Sequence, residues 1–241
     1  MTLQEAAAKR TSRRKYLEKP LDAQSVRILN EKIAAINRDE GLHIQLVLDG
    51  AKPFAGFRRS YGLLTGVQSF LALAGNPASP HWRERLGYFG ELLVLEAQRL
   101  GISSCWVGGS YRKEDAVCDL REGESLTCVI ALGYCPEKPS PRERFLCGVI
   151  HRKSKSAQDM SRAEADAPQW FHSGVQAVCC APSANNSQPV LFRYRAGTAT
   201  ADVPSGGHDI DLGIAKLHFL LGAEGTQGHW VWGQDGAFVL D

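Results

Sequence analysis

Apolar residues along the chain alternate between helical spacing and short continuous runs. After Asp22, for example, Val26, Leu29, Ile33 and Ile36 recur every three or four positions, which is typical of an amphipathic helix. This spacing and the flanking cap residues predict helices over 2–9, 23–40, 80–100, 166–178 and 209–221. The continuous runs predict strands over 43–48, 69–74, 102–107, 126–132 and 190–195, and two short strands near Trp230 and Val239.

The predicted elements occur twice in the same order. The helix and strand of 22–48 match those of 166–195, and the helix containing Gly87 to Glu91 matches the helix containing Asp211 to Ala215. A segment rich in Pro, Lys, Arg and Ser, over about 136–161, predicts the connection between the two sets. We therefore interpret the chain as two similar halves, residues 1–150 and 160–241, with chance similarity between two amphipathic helices as the alternative.

Composition and charge narrow the class of protein. With 241 residues, of which 44% are hydrophobic, the chain can bury a sizeable core. A net charge of +2 gives no argument for a nucleic-acid partner, and no apolar run is long enough to span a bilayer. Seven cysteines without a CxxC pair, and a polar start without a signal-peptide pattern, predict a reduced, cytoplasmic protein.

Four residues at or within the predicted helix 209–221 suggest a metal site: His208, Asp209, Asp211 and His218. Either aspartate is more simply explained as a helix N-cap, and His218 as a helix residue near the interface of the halves. No closely spaced set of Cys or His ligands accompanies them. We therefore expect no metal site.

Several polar and glycine-rich segments contain residues that are suited to binding a cofactor. Arginine forks and hydroxyl groups suit a phosphate dianion, and glycines let the backbone approach a flat ring closely. Read singly, each segment has a plainer explanation as a turn, a helix cap or a solvated basic run. The segments are Arg10 to Tyr16, Gly101 to Gly109, the pair Arg142 and Arg144, and Ala181 to Pro189.

Together these segments resemble the motifs of the FMN-dependent nitroreductase family. Residues 181–189 resemble its PSxxNxQP element, 10–16 its RxSxRxF/Y start, and 101–109 its GLGTCWxGG turn. In that family the PSxxNxQP element lies early in the chain and reaches across a homodimer interface to an FMN bound mainly by the other subunit. Here it lies late in the chain, so the nearest resemblance is to the single-chain pseudo-dimer subgroup.

The resemblance implies an α+β, nitroreductase-like fold, in which two pseudo-symmetric halves of one chain form a sheet wrapped by helices. It implies one FMN between the halves, because residues 34–42 lack a PSxxN element and the second half lacks paired arginines. Arg10 and Ser12 would hold the phosphate and ribityl end, and Arg14 would approach the pyrimidine edge. The full set of implied cofactor contacts is Arg10, Ser12, Arg14, Gly108, Gly109, Arg142, Arg144, Pro182, Ser183, Ala184, Asn186 and Gln188.

The function that the resemblance implies is an FMN-dependent oxidoreductase. Its partners would be NAD(P)H, as hydride donor, and a small-molecule acceptor such as a nitroaromatic or quinone, and the chain would act as a monomer. No side chain is assigned as a general acid, because hydride transfer is the chemistry of the cofactor. Gly108 stands where the family often has an acidic residue, and Val190 where it often has Trp. These differences leave open a flavin-storage protein, a cofactor-less relative, or another flavin chemistry such as dehalogenation or flavin fragmentation.

Overall fold

The computed structural model describes residues 1–54, 64–109, 111–151 and 154–241. Within these ranges lie six α-helices: α1 (Leu3–Lys9), α2 (Ala23–Glu40), α3 (Trp82–Arg99), α4 (Pro141–His151), α5 (Gln169–Val178) and α6 (Asp209–Gly222). The same ranges contain nine strands: β1 (His43–Val47), β2 (Ser69–Gly75), β3 (Ser103–Val107), β4 (Ser125–Gly133), β5 (Ser161–Ala163), β6 (Leu191–Arg195), β7 (Thr198–Asp202), β8 (Gly228–Trp230) and β9 (Gly236–Leu240). The predicted α+β class is confirmed.

The strands form two sheets whose strand order repeats. The first sheet has the order β1-β2-β4-β3, and the second has the order β5-β6-β7-β9-β8. All paired strands are antiparallel except β5 and β6, which are parallel. We call α2-β1-β2-α3-β3-β4 the first repeat and α5-β6-β7-α6-β8-β9 the second repeat. The repeated order of elements is therefore present in the fold, whereas the division at residues 150 and 160 stays a prediction.

Helix ends follow local capping rules where the sequence states them clearly. Thr2 and Glu5 form the predicted capping box of α1, and Asp22 caps α2 by accepting from the Ser25 backbone N–H at 2.9 Å. Gly41 ends α2 in the left-handed conformation, with φ of 62°, which glycine adopts without a steric cost. Caps of this kind depend only on neighbouring residues, so the sequence predicts them well.

Helix α3 begins two residues later than predicted. Pro80 was expected at the first helical position, but the helix starts at Trp82. His81 has a φ of 52°, a left-handed conformation that cannot continue into a right-handed helix. The preceding residues form a turn in which the Asn76 side chain accepts from the Ala78 backbone N–H at 2.9 Å. This turn delays the start of the helix.

The predicted connection over 136–161 is partly helical, since it contains α4. Ser140 and Glu143 form a capping box at its start: the Glu143 N–H donates to the Ser140 hydroxyl at 3.2 Å, and the Ser140 N–H donates to the Glu143 carboxylate at 2.8 Å. The S-x-x-E signature of this box is present in the sequence. The proline and basic residues around it outweighed that signal in the sequence-based prediction, which also omits β5 and β7.

The two repeats meet where α3 crosses α6. A Cβ atom at Gly87 would overlap the backbone carbonyl of Ile210, and one at Gly213 would overlap the backbone carbonyl of Glu84. Gly213 lies 126 positions after Gly87, and Ile210 lies 126 positions after Glu84, so one contact is the copy of the other. A reciprocal contact of this kind is the mark of two-fold symmetry. Gly87 therefore corresponds to Gly213, two positions from the Asp211 with which the sequence comparison pairs it.

A buried ion pair fixes the same helix crossing. The Lys216 ammonium of α6 lies 2.5 Å from the Glu84 carboxylate of α3, and both side chains are almost completely buried. The ammonium also donates to the carbonyls of Val231 and Gly233, each at 3.0 Å, while the Gly233 N–H donates to Glu84 at 2.6 Å. Burial lowers the pKa of Lys216, and the Glu84 carboxylate opposes that shift. With these partners the buried charges are compensated.

We expect Gly213→Ala to destabilise the protein by about 1–3 kcal/mol or more, because the new Cβ would overlap backbone atoms of α3. The matched control is Gly148→Ala in α4, where a Cβ would meet no described atom within 4 Å. That control should be neutral or stabilising by up to about 1 kcal/mol. Urea unfolding followed by circular dichroism measures both, and equal midpoints for the two variants would contradict the close helix approach.

Candidate cofactor site

The amino-terminal segment 10–15 runs alongside β3 as extended backbone. Ser12 pairs with Ser104 and Lys15 with Thr65 in short bridges, and the Arg13 N–H donates to the Ser104 carbonyl at 3.0 Å. Side chains of extended backbone alternate between two faces. By this alternation we expect Arg10, Ser12 and Arg14 to share a face opposite to Arg13, and all three interact with the Cys105 thiol.

Contacts of these side chains follow the same alternation. The Arg13 guanidinium is engaged within the protein, with Glu143 at 3.2 Å and the Pro136 carbonyl at 2.9 Å. On the other face, the Arg10 guanidinium donates to the Ser12 hydroxyl at 3.4 Å. The Arg14 guanidinium makes no hydrogen bond or ion pair with the described residues. Arg14 is therefore an arginine of this segment whose guanidinium is available to an outside ligand, and the exposed Lys15 is a second basic group there.

A buried carboxylate lies behind Arg10. Glu91 of α3 is completely buried, and its carboxylate lies 3.7 Å from the Arg10 Nε. The same carboxylate accepts from the Trp106 indole at 2.7 Å and contacts the His218 ring of α6 at 3.0 Å. Arg10 Nε and His218 Nδ1 are buried without a hydrogen-bond partner in the described part of the chain. Glu91 thus links Arg10, the strand that leads to Gly108, and the second repeat.

Glu143 orders the segment 10–15 from the other side. Its carboxylate accepts from the backbone N–H groups of Arg14 at 2.8 Å and Lys15 at 3.2 Å, in addition to capping α4. Burial by itself would raise the pKa of Glu143, but the N–H groups of Arg14 and Ser140 outweigh it and lower the pKa to about 2. Arg142 and Arg144, which flank Glu143 on α4, are exposed. Sequence reasoning singled out the two arginines and missed the glutamate between them.

The segment 182–188 forms a tight turn with unusual backbone geometry. Asn185, Asn186 and Gln188 have φ values of 53°, 53° and 44°, which non-glycine residues adopt infrequently. Strain of this kind persists where surrounding contacts hold it, and it is concentrated at functional sites. Pro182 and Ser183 are half-buried, and Ala184 is exposed at the tip of the turn.

Side chains on both flanks hold this turn. The Gln188 side chain accepts from the Lys155 N–H at 2.6 Å and donates to the Cys179 carbonyl at 3.3 Å, while the Gln188 N–H donates to the Ser183 hydroxyl at 2.9 Å. Asn186 donates to the Ser154 hydroxyl at 3.1 Å. Gln188 is therefore buried as an anchor of the turn, and its predicted contact with a cofactor stays a prediction.

Asp211 of α6 supports the tip of the turn. One carboxylate oxygen accepts from the Ala184 N–H at 3.1 Å, and the other lies 2.9 Å from Nδ1 of His208. Burial raises the pKa of Asp211, and the Ala184 N–H and the His208 ring oppose that rise. The described residues contain no group of three or more His, Cys, Asp or Glu that could hold a metal ion, and the expected absence of a metal site stays a prediction.

Gly108 and Gly109 follow β3 and are exposed. A Cβ at either position would meet no described atom within 4 Å, so the space beside this backbone is open. The glycines are not required by packing against the described part of the protein. Open space beside a peptide backbone suits close approach of a flat ring.

Two routes connect the amino-terminal arginines with the 182–188 turn. Through α4, Glu143 binds the segment 13–15 at one end, and the helix lies beside the 184–186 residues of the turn. Through the core, Glu91 contacts both Arg10 and His218, and α6 carries Asp211 to Ala184. No contact in the described ranges joins Ser183 directly to Arg10 or Arg14. A ligand between them would have to span the intervening space.

Comparison with known proteins identifies the class that this fold and arrangement define. The chain matches the family described as "Putative TM nitroreductase" over residues 2–223. The protein therefore belongs to that nitroreductase family, and the resemblance drawn from its motifs is confirmed. Among proteins of curated function, none matches the chain.

One solved structure supports the same fold, and two others are similar to part of the chain. A Thermotoga maritima protein described as a putative nitroreductase is 19% identical, with a TM-score of 0.66 over 100% of this chain and 93% of its own. A Bacteroides fragilis nitroreductase with bound FMN is also 19% identical and has a TM-score of 0.45 over 58% of this chain and 91% of its own. An FMN-dependent nitroreductase of Clostridium difficile is 18% identical, with a TM-score of 0.44 over 56% of this chain and 88% of its own. No helix in the described ranges is both long and apolar enough to cross a bilayer.

We expect Glu143→Gln to destabilise the protein at neutral pH by about 1.5–3 kcal/mol, the usual contribution of hydrogen bonds to a charged group. Because the folded pKa is about 2, below the usual unfolded value of about 4.3, the ionised carboxylate stabilises the fold above that unfolded value. Its contribution is lost as pH falls towards 2. The stability difference from the wild type should therefore shrink from pH 5 to pH 2. Glu31→Gln, at an exposed residue of α2, is the control. A pH-independent difference would count against this role.

Proposed function

We propose that the protein binds one FMN between the two repeats and acts as an FMN-dependent, NAD(P)H-consuming oxidoreductase of the cytoplasm. The observation that carries the proposal is the Arg14 guanidinium, which has no hydrogen-bond or ion-pair partner among the described residues, whereas Arg13 is engaged by Glu143 and Pro136. Membership of the nitroreductase family and the FMN carried by the Bacteroides fragilis structure support FMN as the ligand.

The residues present fit this cofactor chemically. The Arg10 side chain is 8% exposed, with its Nε 3.7 Å from the buried Glu91 carboxylate and its guanidinium donating to Ser12, so it would contact an anionic ligand through its remaining N–H groups. Arg10 and Ser12 would hold the phosphate, with Arg142 and Arg144 adding positive charge. Arg14 would face the pyrimidine edge, where a cation favours the reduced ring. Backbone groups at 108–109 would face the ring, and the 182–188 turn would close the site from the second repeat.

When bound, FMN would supply the redox chemistry by accepting a hydride from NAD(P)H and reducing a small acceptor, such as a nitroaromatic or a quinone. The protein groups contribute binding, orientation and a fixed positive charge. The simplest test is the purified protein itself. A yellow chain whose absorbance bleaches with NADH or NADPH supports the enzyme, whereas a yellow chain inert to both supports flavin storage.

We expect Arg14→Ala to weaken FMN binding by about 10- to 100-fold, or to make the bound flavin harder to reduce, because a charge-assisted contact contributes about 1.5–3 kcal/mol. Flavin fluorescence titration and a reductive titration measure the two quantities. The control is Arg27→Ala, which removes an exposed arginine of α2 with only a 3.9 Å contact to Glu31. Unchanged affinity and potential in the Arg14 variant would count against the assignment.

We also expect flavin to bind to the monomer, because one chain supplies both the arginine segment and the 182–188 turn. Size-exclusion chromatography with light scattering and flavin absorbance should show one FMN per single chain. In a dimer of separate subunits, dilution would instead release the cofactor. Flavin found exclusively in a dimeric fraction would contradict the proposal.

A further inference from the structure

A histidine and an aspartate form a pair beside the strained turn. Nδ1 of His208 lies 2.9 Å from the Asp211 carboxylate, and the side chains are 36% and 7% exposed, respectively. A histidine whose Nδ1–H donates to a buried carboxylate presents its Nε2 to other partners, as an acceptor when the ring is neutral and as a donor when the ring is protonated. The same carboxylate accepts from the Ala184 N–H at 3.1 Å. The Asp211 carboxylate therefore lies between the His208 ring and Ala184 at the exposed tip of the turn.

Asp211 also faces the space beneath the turn. It lines a small cavity together with Pro182, Ser183 and Gln188. Three of these four residues belong to the segment that the proposed function assigns to the cofactor site. Consequently, Asp211 is positioned by contacts with that segment, and His208 is connected to the segment through Asp211.

The equivalent positions of the first repeat carry different chemistry. At the spacing of 126 set by the glycine contacts, His208 corresponds to Trp82 and Asp211 corresponds to Arg85. Arg85 forms an ion pair with Glu40 at the end of α2, with 2.7 Å between Nη2 and the carboxylate. In the first repeat, this ion pair stands at the place that the histidine–aspartate pair has in the second repeat. Of these two matching places, the one beside the PSxxNxQP element therefore holds the histidine–aspartate pair.

We propose that His208, oriented by Asp211, is the proton donor to the acceptor in the oxidoreductase reaction, an inference that rests on the proposed function. FMN, when bound and reduced, would supply the acceptor with two electrons as a hydride. His208, as imidazolium, breaks its Nε2–H bond and transfers that proton to an acceptor oxygen. The neutral imidazole then regains a proton from solvent. Asp211 holds Nδ1–H throughout, so it is a positioning residue, and His208 is the catalytic one.

The decisive measurement separates proton-dependent from proton-independent oxidation. We expect His208→Gln to slow oxidation of the reduced protein by p-benzoquinone about 100-fold or more, the usual contribution of a general acid. Oxidation by ferricyanide, which accepts electrons without protons, should keep its rate. FMN affinity and reduction by NAD(P)H should also be retained. Asp211→Asn should slow the quinone reaction selectively but by less, because the histidine is still present.

Position is tested without turnover by carbethoxylation of histidines, followed by mass spectrometry. His208 should react in the FMN-free protein and react more slowly once FMN is bound. The matched control is His229, whose Nδ1 lies 3.0 Å from Asp241 with both side chains exposed. Its carbethoxylation should not depend on FMN, and His229→Gln should leave both oxidation rates unchanged.

The outcomes distinguish the two proposals. Equal slowing with quinone and ferricyanide in the His208 variant would assign the histidine a structural role and overturn the inference. An unchanged quinone rate, or a His208 reactivity independent of FMN, would also overturn it while leaving the oxidoreductase proposal intact. A wild-type protein that binds no FMN would overturn both.

Discussion

The close approach of α3 and α6 is the constraint on which the rest of the structure depends. Because Gly87 and Gly213 carry no Cβ, each helix backbone rests directly on the other. Three buried groups behind the candidate site project from these two helices: Glu91 from α3, and Asp211 and His218 from α6. A change in the crossing would move the support of Arg10 and the support of the 182–188 turn at the same time.

Buried charges make this helix crossing specific. Glu84 and Glu91 of α3 face Lys216 and His218 of α6, and all four side chains are almost completely buried. Breaking the Glu84–Lys216 ion pair would leave an uncompensated buried charge, which costs about 3–5 kcal/mol. If α3 slipped along α6, both pairs would separate. Residues with a Cβ atom would then replace Gly87 and Gly213 at the closest approach of the two helices. Steric and electrostatic requirements therefore favour the same alignment of the two repeats.

Local signals explain what the sequence could predict. The caps of α1 and α2 and the apolar runs of the central strands depend on neighbouring residues, and they were predicted correctly. The three-residue strand β5 exists through its pairing with β6, about thirty residues later, and no local pattern announces such a contact. The alternation of Arg10, Ser12 and Arg14 follows from extended backbone, so their spacing carried real structural information.

The supporting residues of the site were harder to predict for a different reason. Glu91 and Glu143 are single acidic residues within helices, where glutamate is a common exposed residue. Their importance comes from burial against Arg10, Trp106 and the backbone of residues 14–15, which is set by tertiary packing. Gln188 shows the converse. Its motif position predicts a ligand contact, which stays a prediction, while the structure shows its amide bound to Lys155 and Cys179 inside the protein.

Covalent joining of the repeats has a consequence for how such a protein can diverge. In a dimer of identical subunits, every substitution appears on both sides of the symmetry axis and must be tolerated in both places. In this chain, the glycines at the axis remain alike, while Trp82 and Arg85 differ from His208 and Asp211 at matching positions away from it. Because both repeats belong to one polypeptide, the first repeat can carry the Arg85–Glu40 ion pair while the second carries the His208–Asp211 pair that we propose for catalysis.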